Sequence, residues 1–198
     1  MLIGVTYLVE HAAFVVRGTW ALDHNLPLHL TDVATLVSVA ALWRPGSALL
    51  AELVYFWALS ASVQAIVTPD LGRAFPDPVF LGYFVTHSGA VVAACLLMFG
   101  MRRAPRRGAV VRAYALTAVV AAVAAAGTLL TGGNYMFLRR KPARGSLLDV
   151  MGPWPVYILS GAVLGLVLFV ALAALARRFA RPEGSRPRAS SPPSLPGR

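Results

Sequence analysis

The sequence predicts an all-α fold, a multi-pass transmembrane helical bundle of about six helices. Hydrophobic residues make up 58% of its 198 residues and charged residues only 13%, a balance that excludes a soluble domain of this size. The apolar residues also fall into six long runs. These runs exceed the roughly 10-residue alternating strands of a membrane barrel, so helices are the expected spanning elements.

The six runs lie near the roughly 20 residues that span about 30 Å of hydrocarbon, although the first two are shorter. The first run has neither a basic segment before it nor a small-residue cleavage site, which predicts a span rather than a removable signal peptide. The predicted spans are Leu2 to Val16, Leu28 to Trp43, Leu49 to Val67, Val79 to Met98, Ala109 to Leu130 and Val156 to Ala176.

Turn residues mark the expected helix boundaries. Asn25 is predicted to cap the second helix, because its side chain can accept a hydrogen bond from a free N–H of the first turn. Pro69 is expected to end the third helix and Gly132 the fifth, and Pro153 to precede the sixth. We therefore expect the polar connections to be concentrated at one end of the bundle.

Basic residues are unevenly divided between the two sides. Of the 18 lysines and arginines, twelve fall in the 44–47 turn, the 101–112 segment and the stretch from Arg177 onward, and six fall on the opposite side. Because the cytoplasmic side carries the excess, we expect a cell-membrane protein with both termini cytoplasmic. Residues 1–178 are then the transmembrane helical bundle, and residues 179–198 a disordered basic Pro/Ser-rich cytoplasmic tail.

The net charge of +10 favours membrane phospholipids as partners and gives no sign of a nucleic-acid partner. The oligomeric state is not predicted. The single cysteine, Cys95, excludes an intramolecular disulfide and a Cys-based zinc cluster, and is expected to be a small packed side chain. The four histidines are scattered without ligand spacing, so neither a metal nor another cofactor is expected.

Five short polar motifs interrupt the apolar chain, and the predicted spans place all five at the side opposite most of the basic residues. Polar groups of specific shape at one depth of a membrane protein suggest a functional site. The motifs are Asn25 to Asp32, Thr68 to Gly72, Phe84 to Ser88, Gly132 to Pro142 and Gly152 to Pro155.

The chemical candidates are ionisable residues inside the spans, which are costly unless they are paired or hydrated. His29 and Asp32 stand three positions apart on one helix face, where a carboxylate could orient the imidazole; the alternative is a polar clamp between helices. His87 lies about 12 Å into the fourth helix and belongs either to the same site or to the packing. Glu10 and His11 are adjacent and therefore face different ways.

Two further features suggest ligand binding. Arg139, Arg140 and Lys141 run against the charge bias of their side and could bind lipid phosphate, the alternative being ordinary interfacial snorkelling. Gln64 ends a polar stripe along the third helix that leads to the Thr68 motif, although such a stripe is also typical of helix packing.

The ordered set of motifs resembles the YwaF-like family of bacterial integral membrane proteins, whose animal relatives are the transmembrane protein 164 group. The resemblance covers about residues 2 to 176, and the run Asn134 to Pro142 is long enough to be specific. The motifs that carry it are Leu26-Pro-Leu-His29-Leu-Thr31-Asp32, Glu52-Leu-Val-Tyr55-Phe-Trp57, Gln64 to Leu71, Phe75-Pro76, His87, Asn134 to Pro142, Ser146 to Asp149 and Gly152-Pro-Trp-Pro155.

The resemblance implies a phospholipid acyltransferase or related lipid-modifying enzyme with its site near the non-cytoplasmic face. The alternative is a non-catalytic lipid-binding or transport protein. In the animal branch a cysteine is held to be the active centre, and the position where many members have cysteine is Thr31 here. Family members also usually have an additional helix before the one that opens this sequence, so a further upstream helix is expected.

A threonine hydroxyl attacks an acyl carbonyl only with a base in reach. His29 is about 200° around a regular helix from Thr31, so either His87 or a distorted first turn would have to supply that base. Alternatively, His29 with Asp32 activates a lysolipid hydroxyl for direct transfer. Asn134 or Tyr135 could donate a hydrogen bond to the oxyanion.

Overall fold

The computed structural model describes residues 2–179, and these form six helices without a strand among them. The all-α prediction is confirmed. Residues 180–198, nearly all of the predicted tail, lie outside the described residues. The helices are α1 Leu2–Val16, α2 Leu30–Trp43, α3 Ala48–Val67, α4 Pro78–Gly100, α5 Ala109–Thr131 and α6 Val156–Phe179.

Helices α3 to α6 are long and apolar enough to cross a membrane, whereas α1 and α2 are shorter apolar helices. The bundle has two unlike ends. We call the end with the 44–47 and 101–108 connections the short-loop end. The end with the 17–29, 68–77 and 132–155 connections is the long-loop end.

Helix α1 packs mainly on α4, and two glycines of α4 set how closely they approach. A Cβ at Gly89 would lie 2.7 Å from Ile3 Cγ1, and a Cβ at Gly82 would lie 3.0 Å from Glu10 Oε2. Both positions therefore exclude a larger side chain without movement of α1. Small residues at such contacts are typical of helices that pack inside a membrane.

Two local expectations are wrong. Helix α2 begins at Leu30 with His29 as its N-cap, because Asn25 uses its side-chain oxygen within its own loop, where it accepts a hydrogen bond from Ala21 N at 2.8 Å. Cys95 is exposed, because this turn of α4 faces outward and the neighbouring Ala93 and Ala94 make the packing contacts.

At the short-loop end, one buried carboxylate holds neighbouring segments of the chain together. Glu52 is 1% exposed and accepts five hydrogen bonds of 2.8–3.2 Å, three from Arg106 and two from Arg112. These bonds join α3 to the connection before α5 and to the first turn of α5. Every acceptor position of this carboxylate has a hydrogen-bond donor, so Glu52 serves to hold helices together.

Candidate functional site

His29 lies at the long-loop end, where the 17–29 connection enters α2. Its Nδ1 accepts a hydrogen bond from the backbone N–H of Met136 at 3.3 Å. The ring also contacts the rings of Tyr135 and Phe137, with centroid distances of 5.6 and 5.4 Å. A segment more than one hundred residues away thus fixes both the position and the hydrogen-bonding state of this imidazole.

The segment that holds His29 is a strained turn. Met136 and Phe137 have φ of 51° and 56°, a left-handed backbone that costs roughly 1–2 kcal/mol per non-glycine residue. Tyr135 anchors the turn: its hydroxyl donates to Leu22 O at 2.5 Å and accepts from Leu26 N. Burial raises the pKa of Tyr135, so its hydroxyl keeps the donated proton. The packing of the turn offsets the backbone strain.

His87 lies in α4, 7% exposed, and its ring is fixed by its own helix. Nδ1 is 2.7 Å from the backbone oxygen of Tyr83, and the imidazole stacks on the Tyr83 ring at 4.0 Å between centroids. The Tyr83 hydroxyl in turn donates to Ala65 O of α3 at 2.8 Å. Tyr83 therefore sets the orientation of His87 from two directions.

The two imidazoles have opposite hydrogen-bonding roles. A carbonyl oxygen can only accept, so Nδ1 of His87 carries the proton and Nε2 has the free lone pair. A backbone N–H can only donate, so Nδ1 of His29 has the lone pair and Nε2 carries the proton. The two residues lie within electrostatic reach of each other, as does Asp70 from the 68–77 connection. The arrangement presents one proton acceptor and one hydrogen-bond donor.

A second group of polar residues adjoins from α1 and α2. The Tyr7 hydroxyl is buried, without a hydrogen-bond partner among the described residues, and lies within electrostatic reach of Glu10 and Asp32. Glu10 is also without a hydrogen bond or ion pair in the described part of the chain. Asp32 Oδ2 accepts from the backbone N–H of His29 at 3.2 Å. The carboxylate thus caps α2, while the imidazole of His29 has Met136 as its partner.

His11 bridges α1 to the 17–29 connection. Its Nδ1 is 3.1 Å from Tyr7 O and its Nε2 is 3.2 Å from Asn25 O. Both neighbours are acceptors, so only the protonated ring satisfies both contacts.

Three further residues predicted for the site are Thr31, Gln64 and Asn134. The Thr31 hydroxyl, in the first turn of α2, has no hydrogen-bond partner among the described residues. Gln64 is exposed and donates to Thr68 Oγ1 at 2.9 Å. Asn134 accepts from the backbone N–H groups of Arg139 and Arg140 and donates to Arg140 O. Its amide organises the loop around it.

The basic residues of the same loop are held by backbone oxygens. Arg139 donates to Gly132 O at 3.2 Å and Lys141 to Asp149 O at 3.3 Å. Lys141 also lies 5.6 Å from the centroid of the Tyr157 ring. Among residues 2–179, neither these two cations nor Arg140 forms an ion pair with a carboxylate.

An apolar groove opens beside this loop, between the last turns of α5 and the connection that leads to α6. Its volume is about 410 Å³, and Arg139 and Trp154 stand at its polar edge. Tyr135, which anchors the strained turn, contacts both the groove wall and His29: its backbone N–H donates to Thr128 Oγ1, and its ring contacts the imidazole of His29. The described residues contain no group of three potential metal ligands.

Comparison with known proteins places this architecture in a family. The model of the TMEM164 family matches residues 1–173. The chain belongs to the TMEM164 family. It is therefore a membrane protein with several apolar helices, four of them long enough to span. No curated protein and no solved structure matches it significantly.

Two tyrosines of the site, Tyr7 and Tyr83, were not among the residues predicted from the sequence. The bridging contacts of His11 were not predicted either. Tyr7 and His11 have i, i+4 spacing on α1, as Tyr83 and His87 have on α4. Each pair brings one imidazole against one phenol ring, with centroids 4.3 Å apart in the tilted Tyr7–His11 pair and 4.0 Å apart in the stacked Tyr83–His87 pair. This repeated spacing was the available signal, since residues four apart share a helix face.

Proposed function

We propose that this chain transfers an acyl group between a phospholipid and a lysophospholipid at the long-loop end. The observation that carries the proposal is the pair of imidazoles with opposite roles: within the described residues, His87 has an unshared Nε2 lone pair and His29 an Nε2–H without an acceptor. Both lie in an apolar helical bundle. The resemblance to phospholipid acyltransferases supports the same substrate class.

In the proposed reaction, Nε2 of His87 takes the proton from the acceptor hydroxyl as its oxygen bonds to the ester carbonyl carbon. The carbonyl oxygen gains the electron pair, and Nε2–H of His29 donates a hydrogen bond to it. When the carbonyl re-forms, the bond from its carbon to the donor's glycerol oxygen breaks. That oxygen then takes the proton from His87, which returns to its starting state.

We propose direct transfer rather than a covalent intermediate on Thr31. No described hydrogen bond links the Thr31 hydroxyl to His29 or His87, and activation of a hydroxyl nucleophile needs such a contact. Asp32 supports the reaction from a distance by capping α2, which fixes the backbone of His29. Asn134 and Tyr135 likewise hold the turn that aligns Met136.

We also propose an orientation in the cell membrane. The long-loop end lies on the non-cytoplasmic side and both termini are cytoplasmic, a proposal supported by the excess of basic residues on the other side. A reporter fused after Phe179 is therefore expected to give a cytoplasmic signal. A reporter inserted at Gly72, in the 68–77 connection, is expected to give a non-cytoplasmic one.

The activity test uses purified full-length protein in vesicles that contain a phospholipid with a labelled acyl chain and an unlabelled lysophospholipid. His87→Phe and His29→Phe keep the aromatic contacts with Tyr83, Tyr135 and Phe137 but remove the ring nitrogens. We expect each to lower the transfer rate by about 10²- to 10⁴-fold, the usual contribution of acid–base catalysis.

His24→Phe is the matched control, because His24 is exposed in the same region and pairs only with Asp23. Its activity is expected to equal that of the unaltered protein, and Thr31→Ala is expected to keep most of it. Loss of activity in Thr31→Ala as large as in the two histidine variants would replace direct transfer by a covalent route through the threonine hydroxyl. If the unaltered protein binds both lipids but moves no acyl chain, it is a lipid-binding or transport protein instead.

A further inference from the structure

We infer that the groove between the last turns of α5 and the connection that leads to α6 is a binding site for an anionic phospholipid, separate from the two histidines. One acyl chain would lie along α5, and the phosphate would contact the basic loop. This inference concerns lipid binding alone, so the outcome of the acyl-transfer test neither supports nor contradicts it.

The shape of the groove fits a lipid chain. Its wall consists of Ala125, Thr128 and Leu129 on the last turns of α5 and of Leu138 from the 132–155 connection. Ala125 lies six residues before the last residue of α5, which is about 9 Å along a helix. The groove therefore extends from the end of the helix into the depth that hydrocarbon occupies. Leu129 is 84% exposed, so this side of α5 is left open by the protein itself.

Trp154 marks the level at which the lipid headgroups lie. Its indole N–H donates to Leu138 O at 3.0 Å, while the side chain remains 61% exposed beside the groove. Tryptophan with a satisfied N–H and an exposed ring is typical of the boundary between hydrocarbon and headgroups. The polar edge of the groove is thus at the depth of a lipid phosphate.

The charge at that edge selects an anion. Arg139 is itself part of the groove, and Arg140 and Lys141 follow it directly. Their described hydrogen bonds and contacts engage backbone oxygens and one aromatic ring, and none is neutralised by a carboxylate within residues 2–179. The nearby Asp149 already accepts from Ser146 N at 2.7 Å. A cation at the edge of an apolar groove, with two more cations next to it in the chain and no ion pair for any of the three within residues 2–179, is complementary to a negatively charged phospholipid.

The test is a competition between two lipids for the full-length protein in detergent, read by native mass spectrometry. Equal amounts of dioleoyl phosphatidylglycerol and dioleoyl phosphatidylcholine are added, and the ratio of the bound lipids is measured. We expect preferential retention of phosphatidylglycerol. The triple variant R139Q/R140Q/K141Q is expected to reduce this preference by about tenfold or more, since each basic residue contributes to binding an anionic lipid.

The control removes the same charge from the opposite end. R102Q/R103Q/R107Q leaves the Glu52 network intact and is expected to keep the preference of the unaltered protein. Ala125→Phe, which fills the groove with an apolar ring, is expected to reduce the retention of both lipids. Glycerol 3-phosphate at the same concentration is expected to displace neither.

Three results would overturn the inference. Equal retention of the two lipids by the unaltered protein would show that the groove does not select charge. If both triple variants lost the preference for phosphatidylglycerol equally, that preference would depend on the net charge of the protein and not on the groove. Displacement by glycerol 3-phosphate would identify a site for the phosphate group alone.

Discussion

The two ends of the bundle treat buried polar groups in opposite ways. At the short-loop end, Glu52 receives five hydrogen bonds from Arg106 and Arg112. At the long-loop end, His29 and His87 each use one ring nitrogen for the fold, and the other has no hydrogen-bond partner within residues 2–179. A buried polar group with every partner supplied stabilises structure, whereas one with a fixed free atom is available for chemistry.

The same contrast recurs within the long-loop end between two tyrosines. The hydroxyl of Tyr135 makes two hydrogen bonds that tie the 132–155 connection to the 17–29 connection. The hydroxyl of Tyr7 is also buried but has no partner among the described residues. The burial of a polar side chain therefore does not by itself indicate its role, whereas the number of hydrogen bonds that the side chain makes does.

The largest expected effect on stability is at the short-loop end. Changing Arg106 and Arg112 together to methionine removes both guanidinium partners of the buried Glu52 carboxylate and leaves only the backbone N–H of residue 106 as a described donor, which is expected to lower the free energy of unfolding by about 3–5 kcal/mol. The measurement is denaturation of the purified protein in detergent. Adding Glu52→Gln to the double variant is expected to restore part of the loss, because it removes the buried charge. A double variant as stable as the unaltered protein would show that the network does not hold the helices.

An intermediate effect is expected for the paired tyrosine variants. Tyr135→Phe leaves Leu22 O and Leu26 N without their partner and is expected to cost about 1–3 kcal/mol of unfolding free energy. Tyr7→Phe removes a hydroxyl with no described partner, so its unfolding free energy is expected to be unchanged or slightly higher. Equal destabilisation by both substitutions would contradict the distinction drawn between the two hydroxyls. The same denaturation assay serves for both variants.

A related effect is expected in α4. Gly82→Ala adds a Cβ that would meet the Glu10 carboxylate at 3.0 Å, and it should displace Glu10 and α1 by a few tenths of an ångström. We expect a modest loss of stability of roughly 1 kcal/mol, within the range for overpacking. The control is Gly161→Ala in α6, where a Cβ meets no atom within 4 Å. A similar loss in both variants would attribute the effect to the helix backbone instead.

The smallest expected effect concerns the surface of the long-loop end. The backbone N–H of Val79 and the guanidinium of Arg17 hold the pKa of Asp77 below its usual value. The carboxylate therefore stabilises the fold above the unfolded-state pKa of about 3.9, and this contribution is lost as the pH falls through the lower folded-state pKa. The difference in melting temperature between unaltered protein and Asp77→Ala should be constant from neutral pH down to about pH 4. Below that pH it should shrink, and a difference that persists in stronger acid would contradict the assignment.

Much of the fold could be predicted because its determinants are local. Helix α1 ends at Val16 and α3 ends at Val67, each within two residues of a Gly or Pro, and α6 begins at Val156, directly after Pro155. The start of α2 could not be read in this way, because Asn25 and His29 are both able to accept a hydrogen bond from a free backbone N–H. The contact of Asn25 with Ala21 decided between them.

The sequence by itself determined that this is a helical membrane protein whose polar motifs gather near one end, because hydropathy and turn residues act over short stretches of chain. Only the tertiary structure decided what those polar residues do. The partner of the His29 imidazole is the backbone of Met136, brought there by a strained turn that Tyr135 anchors to a distant loop. For His29, a hydrogen bond between segments far apart in the chain assigns the ring proton, and no local pattern of residues encodes that contact.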